Sequence, residues 1–432
     1  MKRIYTKEVK PGRPARVAGW VSTVRDLGNI KFFLLRDREG VVQVTAKKGV
    51  ASEKLLAQVL ALGKEDVVSV QGEAVASAQA PGGREIFPEK ITLLNTAATP
   101  LPIDVGEKIE SSLDKRLDWR PLDLRNPRNL AIFKVQSALV EGMASFLRKK
   151  GFLQVFTPCL MGAPSESGSD VFPVFYFNRE VYLRQDPQLH RQLAIAGGLD
   201  RIFDLGPSWR AEASHTSRHL CEHRGLAPEM ALQKDEQEVM KIQEGTIVSG
   251  FQAVKKSCGE ELALLGKALE IPDTPFPELR FPEVLDLLKD QGKILPPGAD
   301  LDREGEKLLA EYVKKKHGSD LFFVNRFPYQ AKPFYVMKAE GGWARSVDLV
   351  YKGVELSSGG QREHRHDRLL DQVREKGIPP ESLDWFTRHF RFGVPPHGGF
   401  CIGIERLTMQ LLDIENVREA VLFARTPDRA LP

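Results

Sequence analysis

Cysteine is scarce in this chain. Four cysteines stand among 432 residues, and none belongs to a C-x-x-C pair: Cys159, Cys221, Cys258 and Cys401. Such scattered thiols argue against a zinc site and against a disulfide framework, and they fit a reducing compartment. No apolar run reaches the length that a bilayer requires, and the first residues have no signal-peptide core. We therefore expect a cytoplasmic protein without a membrane segment.

The common nucleotide-binding motifs are also missing. The chain has neither a P-loop nor the glycine pattern of a dinucleotide fold, so any nucleotide site must be of another type. Internal repeats and low-complexity tracts are absent from the sequence as well. The hydrophobic content of 42% and the charged content of 28% are ordinary for a globular protein. The length is too great for one ordinary core and predicts two or three domains.

Charge is unevenly distributed along the chain. The net charge is only +4, but residues 1–50 hold twelve Lys and Arg against four Asp and Glu. A basic N-terminal module on a near-neutral body indicates a polyanionic partner such as nucleic acid. A solvated basic surface gives the same count, and charge alone does not separate the two interpretations.

The N-terminal part alternates short apolar runs with turn signals. The predicted strands are 16–21, 32–35, 41–44, 66–72 and 91–94, with a helix over 52–62. Five short strands with an inserted helix are typical of a small barrel of the oligonucleotide-binding (OB) type. We assign residues 1–97 to this barrel and 98–128, which begins with a proline-bearing segment, to a linker or hinge.

The remaining residues, 129–432, predict an α+β domain. An amphipathic helix spans 129–150, and Gly151 ends it. Further helices are predicted over most of 234–265 and 306–316, and β-like runs at 152–156, 176–183, 203–211, 230–233, 334–337 and 346–349. The strands arrive as hairpin-like neighbours with helices grouped between them. This order favours a mainly antiparallel sheet flanked by helices.

Two segments combine arginines with features suited to a nucleotide. In 395–407, glycines surround a short apolar run that closes on Arg406. Glycine lets a flat ligand approach the backbone, and a guanidinium can stack on an aromatic base. In 209–231, Arg210 and Glu212 stand two apart on a predicted strand and therefore face the same way.

Phosphate and metal ligands are predicted in two further stretches. Arg218 and His219 lie in the polar loop 213–223 and are suited to the outer phosphates of a nucleotide. Asp348 and Glu355 flank a turn, and a phosphate-bound Mg²⁺ typically takes one or two carboxylates. Each stretch taken alone also fits an ordinary surface hairpin or a glycine-rich turn, whereas their combination favours a nucleotide site.

Together these segments resemble the class II aminoacyl-tRNA synthetases. The three class motifs are matched in order, with family-like spacing, by residues 151–158, 209–229 and 403–406. Residues 187–189, 353–365 and 395–400 further resemble the archaeal/eukaryotic-type aspartyl-tRNA synthetases, whose anticodon-binding domain the barrel resembles. The resemblance covers essentially the whole chain. It implies activation of L-aspartate with ATP and transfer to tRNA, by a homodimer joined through the first motif around Pro158.

The resemblance also implies roles for individual residues. For ATP it implies Arg210 at the α-phosphate, Arg406 on adenine, and Arg218 and His219 at the outer phosphates, together with Glu212 and Glu355. Arg210 and Arg406 are the implied catalytic groups, and Asp348 and Glu355 the implied Mg²⁺ ligands. The implied amino-acid pocket consists of Glu166, Asp186, Gln188, Arg191, Ser358 and Arg362. Phe32, Gln43 and Glu89 are the residues implied to read the central anticodon base.

Three positions of the amino-acid pocket depart from the family. Arg191 replaces the usual lysine, Asp186 the usual serine, and Ala227 an aspartate that receives the substrate ammonium. We hypothesise that Asp186 supplies the missing charge. Alternatively the pocket has changed its substrate, to asparagine or a non-standard acid, or the chain binds RNA or a metabolite without charging tRNA. Arg191 and Arg362 together favour an acidic substrate.

Two barrel positions bear on the choice of tRNA. Ser22 and Pro81 stand where family members strict for aspartate tRNA carry tryptophan and lysine. The chain therefore resembles the relaxed type, which also charges asparagine tRNA with aspartate.

Overall fold

A computed structural model describes residues 1–106, 109–162, 171–213 and 216–432. The chain divides into two compact units, Met1–Leu130 and Ala131–Pro432. Each unit has hydrophobic core clusters of its own. The two units are described separately below.

The first unit is the predicted barrel. Its elements are β1 (Arg13–Asp26), β2 (Ile30–Asp37), β3 (Gly40–Lys47), α1 (Glu53–Ala61), β4 (Val67–Ala76) and β5 (Arg84–Asn95). The strands close in the order β1-β2-β3-β5-β4, with β3 and β5 parallel and the other pairs antiparallel. Alternate residues such as Val17, Phe33, Val44 and Val70 fill the interior, as the period-two pattern of a half-buried strand requires. The OB-type barrel is therefore confirmed.

The chain beyond β5 packs against the barrel within this unit. The Ala97 amide donates to Asp66 at 2.8 Å. Two short helices follow, α2 (Leu113–Asp118) and α3 (Arg120–Asp123). The buried Glu65 carboxylate then accepts from both Arg36, at 2.8 Å, and Arg125, at 3.0 Å. These contacts fasten both ends of the segment predicted as a linker to the barrel.

Helix α4 (Pro127–Lys149) corrects one expectation. Among the described residues it is long and apolar enough to cross a membrane by length and composition, contrary to the sequence analysis. The residues on its apolar face are nevertheless buried in the main core of the second unit: Ile132, Val135, Leu139, Met143 and Leu147. This burial is the arrangement of a core helix.

The second unit is built on a mixed, mainly antiparallel sheet, as predicted. Its strands in chain order are β6 (Leu153–Val155), β7 (Leu160–Met161), β8 (Pro173–Tyr176), β9 (Arg179–Leu183), β10 (Arg201–Trp209), β11 (Glu222–Ala231), β12 (Glu278–Arg280), β13 (Leu321–Asn325), β14 (Ser346–Tyr351), β15 (Val354–Arg362) and β16 (His397–Gly403). The main sheet runs β12-β13-β14-β15-β16-β11-β10-β6, and β7-β9-β8 form a separate small sheet. Only the outer pairs β12–β13 and β10–β6 of the described strands in the main sheet are parallel.

Helices flank this sheet. They are α5 (Gln188–Ala196), α6 (Glu236–Ser257), α7 (Gly259–Leu265), α8 (Phe281–Asp290), α9 (Arg303–His317), α10 (His366–Glu375), α11 (Asp384–Thr387) and α12 (Ile404–Leu411). Short 3-10 turns lie at Thr6–Glu8, Pro81–Gly83, Tyr329–Ala331, Glu340–Gly342, Pro380–Leu383, Arg388–Phe392 and Val417–Ala420. The predicted helical region 234–265 is confirmed as α6 and α7, and 306–316 as part of α9.

Several predicted strands have different limits. Residues 334–337 form turns with an isolated bridge, because Phe334, Tyr335 and Val336 pack into a side cluster with Tyr329 instead of extending a sheet. The run 176–183, predicted as one strand, contains the end of β8, the tight turn that follows it, and β9. Strand β11 begins at Glu222, eight residues before the predicted run, because polar residues open it.

Candidate active site

A cavity of about 500 Å³ in the second unit collects most of the predicted site residues. Those that line it are Asp186, Gln188, Arg210, Glu212, Arg218, His219, Glu355, Ser358, Arg362 and Arg406. Arg191 and Asp348 are buried against lining residues, the former on Asp186 and the latter on Lys332. Glu166 lies outside the described residues, as does His215 of the predicted polar loop.

One end of the cavity is a hydrogen-bonded group around Glu229. This buried carboxylate on β11 accepts from Arg362 Nε at 3.0 Å and from Gln188 Nε2 at 3.1 Å. Arg362 Nη2 also donates to Gln188 Oε1 and to the Gly399 carbonyl, each at 3.1 Å. Residues from β11, β15, β16 and α5 thus hold one another in fixed orientations, and Arg362 also lines the cavity.

Gly399 is required for this close approach. A Cβ there would collide with the Pro228 carbonyl and with the Glu229 carboxylate. Any larger residue would therefore push β16 away from β11. Gly398 and Gly399 therefore serve strand packing next to the cavity, whereas a Cβ at Gly403 would meet no atom nearer than 3.9 Å.

Asp186 and Arg191 form an ion pair at the same end. Arg191 Nη1 and Nη2 donate to the two Asp186 oxygens at 2.8 and 3.0 Å, and Nη2 also donates to Gln188 Oε1 at 2.7 Å. Burial works to raise the pKa of Asp186, but the charge and hydrogen bonds of Arg191 outweigh it and lower that pKa. Asp186 is therefore a carboxylate at neutral pH, and it lines the cavity.

Ala227, where the family carries an acid, is buried on β11 opposite Asp204 of β10. The Asp204 carboxylate is already paired with the buried Arg184, whose Nη1 lies 3.3 Å from Oδ2. Asp186, unlike Asp204, borders the cavity. At this end Asp186 is thus the carboxylate near Ala227 that lines the cavity, with both oxygens accepting from Arg191.

The other end of the cavity is rich in arginine. Strand β10 ends at Trp209, so Arg210 and Glu212 follow the strand and do not lie on it, contrary to the prediction. They still meet, with 3.7 Å between Arg210 Nη1 and Glu212 Oε1. Burial, together with the charges of Arg210 and Arg406, lowers the pKa of His223 to about 4. His223 is thus a neutral ring at pH 7.

Arg406 is positioned by the start of α12. Its neighbour Glu405 is buried and accepts from the Arg224 amide on β11 at 3.0 and 3.1 Å. This bond fastens α12 to the sheet, and Arg406 then lies 3.5 Å from the Glu355 carbonyl. The two residues of this Glu-Arg pair therefore have different roles. Glu405 anchors the helix to the sheet, and Arg406 lines the cavity.

Acidic groups lie between the two ends. The Cα of Asp348 on β14 pairs with that of Ser358 on β15, and Lys332 Nζ is 2.8 Å from Asp348 Oδ2. Burial raises the pKa of Asp348 to about 7; Lys332 opposes this shift, and Glu355 adds to it. Asp348 Oδ1 is buried without a hydrogen-bond partner among the described residues.

These groups fit a divalent ion. The part of the chain that the structure describes has no cluster of three His, Cys, Asp or Glu that could hold a metal. An ion that brings its own phosphate and water ligands needs only one or two protein carboxylates, and the orphaned Asp348 oxygen suits that role.

Glu306 is a site residue that the sequence analysis missed. Its carboxylate on α9 lies 4.0 Å from Arg218 Nη1. Burial raises the pKa of Glu306 to about 7, and Glu355 adds to the shift while Arg218 opposes it. A lone glutamate in an amphipathic helix carries no local signal, so only the fold reveals this contact.

The barrel residues lie in the first unit. Phe32 on β2 is half-buried, and Gln43 on β3 pairs through its Cα with Glu85 of β5. Gln43 Nε2 donates to Glu85 Oε2 at 2.9 Å, and Thr45 donates to the same oxygen at 2.5 Å. Glu89 is exposed four residues further along β5. The structure therefore brings Gln43 together with Glu85 instead of Glu89.

Comparison with known families agrees with this geometry. A family model described as tRNA synthetases class II (D, K and N) matches residues 112–427. A second model, an OB-fold nucleic acid binding domain, matches residues 15–94. The chain belongs to the class II tRNA synthetases. The resemblance seen in the sequence is thereby confirmed, together with the α+β fold class and the OB-type barrel.

Relatives of this class II synthetase extend over the full chain. It is 45% identical to the aspartate–tRNA(Asp) ligase of Pyrococcus abyssi, over 99% of each chain. It is 40% identical to the aspartate–tRNA(Asp/Asn) ligase of Methanopyrus kandleri, over 100% of each chain. The solved asparaginyl-tRNA synthetase of Pyrococcus horikoshii with asparaginyl-adenylate superposes with a TM-score of 0.92, at 33% identity and with 100% of each chain covered.

Proposed function

We propose that this synthetase is an aspartate–tRNA ligase. It activates L-aspartate with ATP to aspartyl-adenylate and transfers the aspartyl group to the 3′ end of tRNA. The observation that carries the proposal is the cavity itself, where Gln188 and Arg362 at one end face Arg210 and Arg406 at the other. The names of relatives that are 45% identical over the full chain support the same activity.

The chemistry is mostly positioning and charge stabilisation. The substrate α-carboxylate attacks the α-phosphorus of ATP, and pyrophosphate leaves. Arg210 stabilises the charge that grows on the α-phosphate, and Arg218 and His219 contact the outer phosphates. Arg406 stacks on adenine, with Glu212 near the base. The terminal ribose hydroxyl of tRNA then attacks the adenylate carbonyl and AMP leaves, so no side chain of the enzyme becomes acylated.

Mg²⁺ is the implied cofactor. Asp348 and Glu355 would hold it, and when bound it supplies positive charge to the phosphate oxygens. The orphaned oxygen of Asp348 and the cavity position of Glu355 support this assignment.

Substrate choice lies at the other end of the cavity. We assign the substrate side-chain carboxylate to Arg362, which lines the cavity together with Gln188 and Ser358. The ammonium goes to Asp186, which stands in for the acid absent at Ala227, while Arg191 orients Asp186. Glu166 belongs to the predicted pocket. An asparagine substrate would place a neutral amide against Arg362 and would forgo the charge pairing that an acid makes.

Amino-acid-dependent ATP–pyrophosphate exchange across all twenty amino acids tests this assignment. We expect exchange with aspartate and negligible exchange with asparagine. The reverse preference would establish an asparagine-specific enzyme. Exchange with none of the twenty would favour a paralogue that binds RNA or a metabolite without charging tRNA, although Arg210, Asp348, Glu355 and Arg406 are all in place.

The barrel is proposed to read the anticodon. Phe32 stacks on the central base, and Gln43 hydrogen-bonds to its edge. Glu89 was assigned to the same base, but Glu85 is the acid that lies beside Gln43. Basic residues around these positions suit the phosphate backbone.

A relaxed tRNA choice is a second proposal. Ser22 lies in the bulge of β1, where its hydroxyl donates to the Leu34 carbonyl at 3.2 Å, and Pro81 begins the turn before β5. Relatives named for both Asp and Asn tRNA at 40% identity support it, and those named for Asp tRNA alone at 45% oppose it. Charging of unmodified tRNA(Asn) transcript with aspartate tests the proposal, and a negligible rate against tRNA(Asp) would dismiss it.

A homodimer joined through the first motif around Pro158 is proposed as well. Phe156, two residues before it, is 83% exposed. Such an aromatic residue on a monomer surface suits contact with a second copy. Light scattering with a Phe156→Ser variant tests it: a monomeric mass for the unmodified protein would rule out the dimer. Residues 1–97, 98–128 and 129–432 remain the proposed domains, and the cytoplasm the proposed compartment.

A further inference from the structure

Lys332 is a buried cation inside the cavity. It follows the Tyr329–Ala331 turn and is 7% exposed, yet it lines the cavity beside Asp300. Its Nζ lies 2.8 Å from Asp348 Oδ2 and 3.3 Å from Asp300 Oδ2. The ammonium also sits 3.6 Å from the centre of the Phe327 ring. Three partners therefore fix the position of this buried ammonium: Asp348, Asp300 and the Phe327 ring.

Only one of the two Asp348 carboxylate oxygens has a hydrogen-bond partner among the described residues. Lys332 takes Oδ2, whereas Oδ1 is buried and has no hydrogen-bond partner among the described residues. A buried carboxylate oxygen without a partner is costly, and such atoms mark places where a ligand is missing.

We propose that Lys332 is a positioning residue that occupies Asp348 in place of a divalent cation when no nucleotide is bound. The inference rests on the proposed metal role of Asp348 and Glu355. The lysine holds Asp348 in one orientation and neutralises part of the charge that Asp300, Asp348 and Glu355 share. An incoming ion meets this positive charge, so the ion alone binds weakly.

The consequence is a coupling between metal and ATP. Nucleotide phosphates bring the negative charge that offsets Lys332, and the ion then enters as part of the nucleotide complex. Asp300, which is exposed, remains as a carboxylate partner for the displaced ammonium. Lys332 thus makes ordered entry of the ion with ATP more favourable than entry of the ion alone.

Mn²⁺ binding without nucleotide tests the proposal. The full-length protein is titrated with Mn²⁺ at pH 8, and free Mn²⁺ is followed by electron paramagnetic resonance. K332M removes the competing charge, and we expect its Kd for Mn²⁺ to fall by about tenfold or more. K332Q keeps a hydrogen-bond donor without charge and should behave alike, and it serves where K332M does not fold. K332R keeps the charge and should bind as weakly as the unmodified protein.

Two controls complete the design. K338M removes a lysine that pairs with Glu375 on the surface, and Mn²⁺ binding should stay unchanged. D348N in the K332Q background should abolish the gain. K332M and K332Q variants that bind Mn²⁺ no more tightly than the unmodified protein would overturn the role of Lys332. Mn²⁺ binding that is insensitive to D348N would instead overturn the proposed metal site itself, whatever Lys332 does.

Discussion

Replacing Asp186 with alanine removes one side of the ion pair at the amino-acid end of the cavity. The Arg191 side chain is 1% exposed, whereas that of Asp186 is 22% exposed. After the change, Gln188 Oε1, at 2.7 Å, is the remaining hydrogen-bond partner of that guanidinium among the described residues. The positive charge would thus stay buried without a counter-charge in contact.

The magnitude follows from this asymmetry. Removing one partner of a buried ion pair costs about 3–5 kcal/mol, and the partial exposure of Asp186 places the loss near about 3 kcal/mol. The opposite change, Arg191→Met, leaves a carboxylate that water can reach and should cost only about 1–2 kcal/mol. The double variant should lose less than the sum, with a coupling free energy of about 2 kcal/mol.

Thermal unfolding of the unmodified protein, the two single variants and the double variant provides the first readout. A loss of about 3 kcal/mol lowers the Tm of a domain of this size by roughly 6–12 °C. The pKa of Asp186 is lowered in the folded state, so its contribution is present above the unfolded value, about 4. The contribution is lost as the pH falls through the lower folded value. The penalty of Asp186→Ala should therefore stay constant from pH 8 to pH 5 and shrink below about pH 4.

Aminoacylation kinetics provide the second readout. If Asp186 receives the substrate ammonium, Asp186→Ala should raise the KM for aspartate by about tenfold or more and leave the KM for ATP nearly unchanged. Equal losses of stability in the two single variants, with full additivity in the double variant, would refute the ion-pair argument. An unchanged KM and kcat for aspartate would refute the compensation for Ala227.

Four other substitutions give separate tests. Arg406→Ala should raise the KM for ATP and slow ATP–pyrophosphate exchange by about a hundredfold, as measured at saturating aspartate, while the Tm stays within a few degrees. Gly399→Ala should reduce the free energy of unfolding by about 3 kcal/mol or more and so lower the Tm strongly, because its Cβ would meet the Glu229 carboxylate; a stable, active variant would contradict that packing. Gln43→Ala and Glu85→Gln should each raise the KM for tRNA without changing tRNA-independent exchange, and a change in exchange would show that the effect is not confined to the barrel.

The OB-type barrel is an example of what local patterns can reveal. Period-two alternation and turn residues predicted every strand from β1 to β5, and β1 pairs with β2 as antiparallel neighbours. The parallel pairing of β3 with β5 has no local signature, because it joins positions about forty residues apart. For that reason the contact between Gln43 and Glu85 could not be predicted, whereas the role of Glu89 stays a prediction.

In the second unit, too, local patterns predicted the helices but not the contacts between distant residues. The helices α4 and α6 were predicted because their apolar residues recur at helical spacing. The prediction of a strand over 334–337 was wrong, because its side chains pack into a cluster whose other members are mostly remote in sequence. Apolar β-prone residues signal burial, but the sequence does not say whether a sheet or a cluster provides it.

By itself the sequence determined the family, the α+β class and many of the residues that meet around the cavity, since motifs and periodicity are local properties. Only the tertiary structure decided how those residues are paired: Arg191 with Asp186, Arg362 with Glu229, and Lys332 with Asp348. Such pairings depend on strand register and on contacts between distant elements. Because these paired charges lie only a few ångströms apart around the cavity, they determine which groups a ligand can reach.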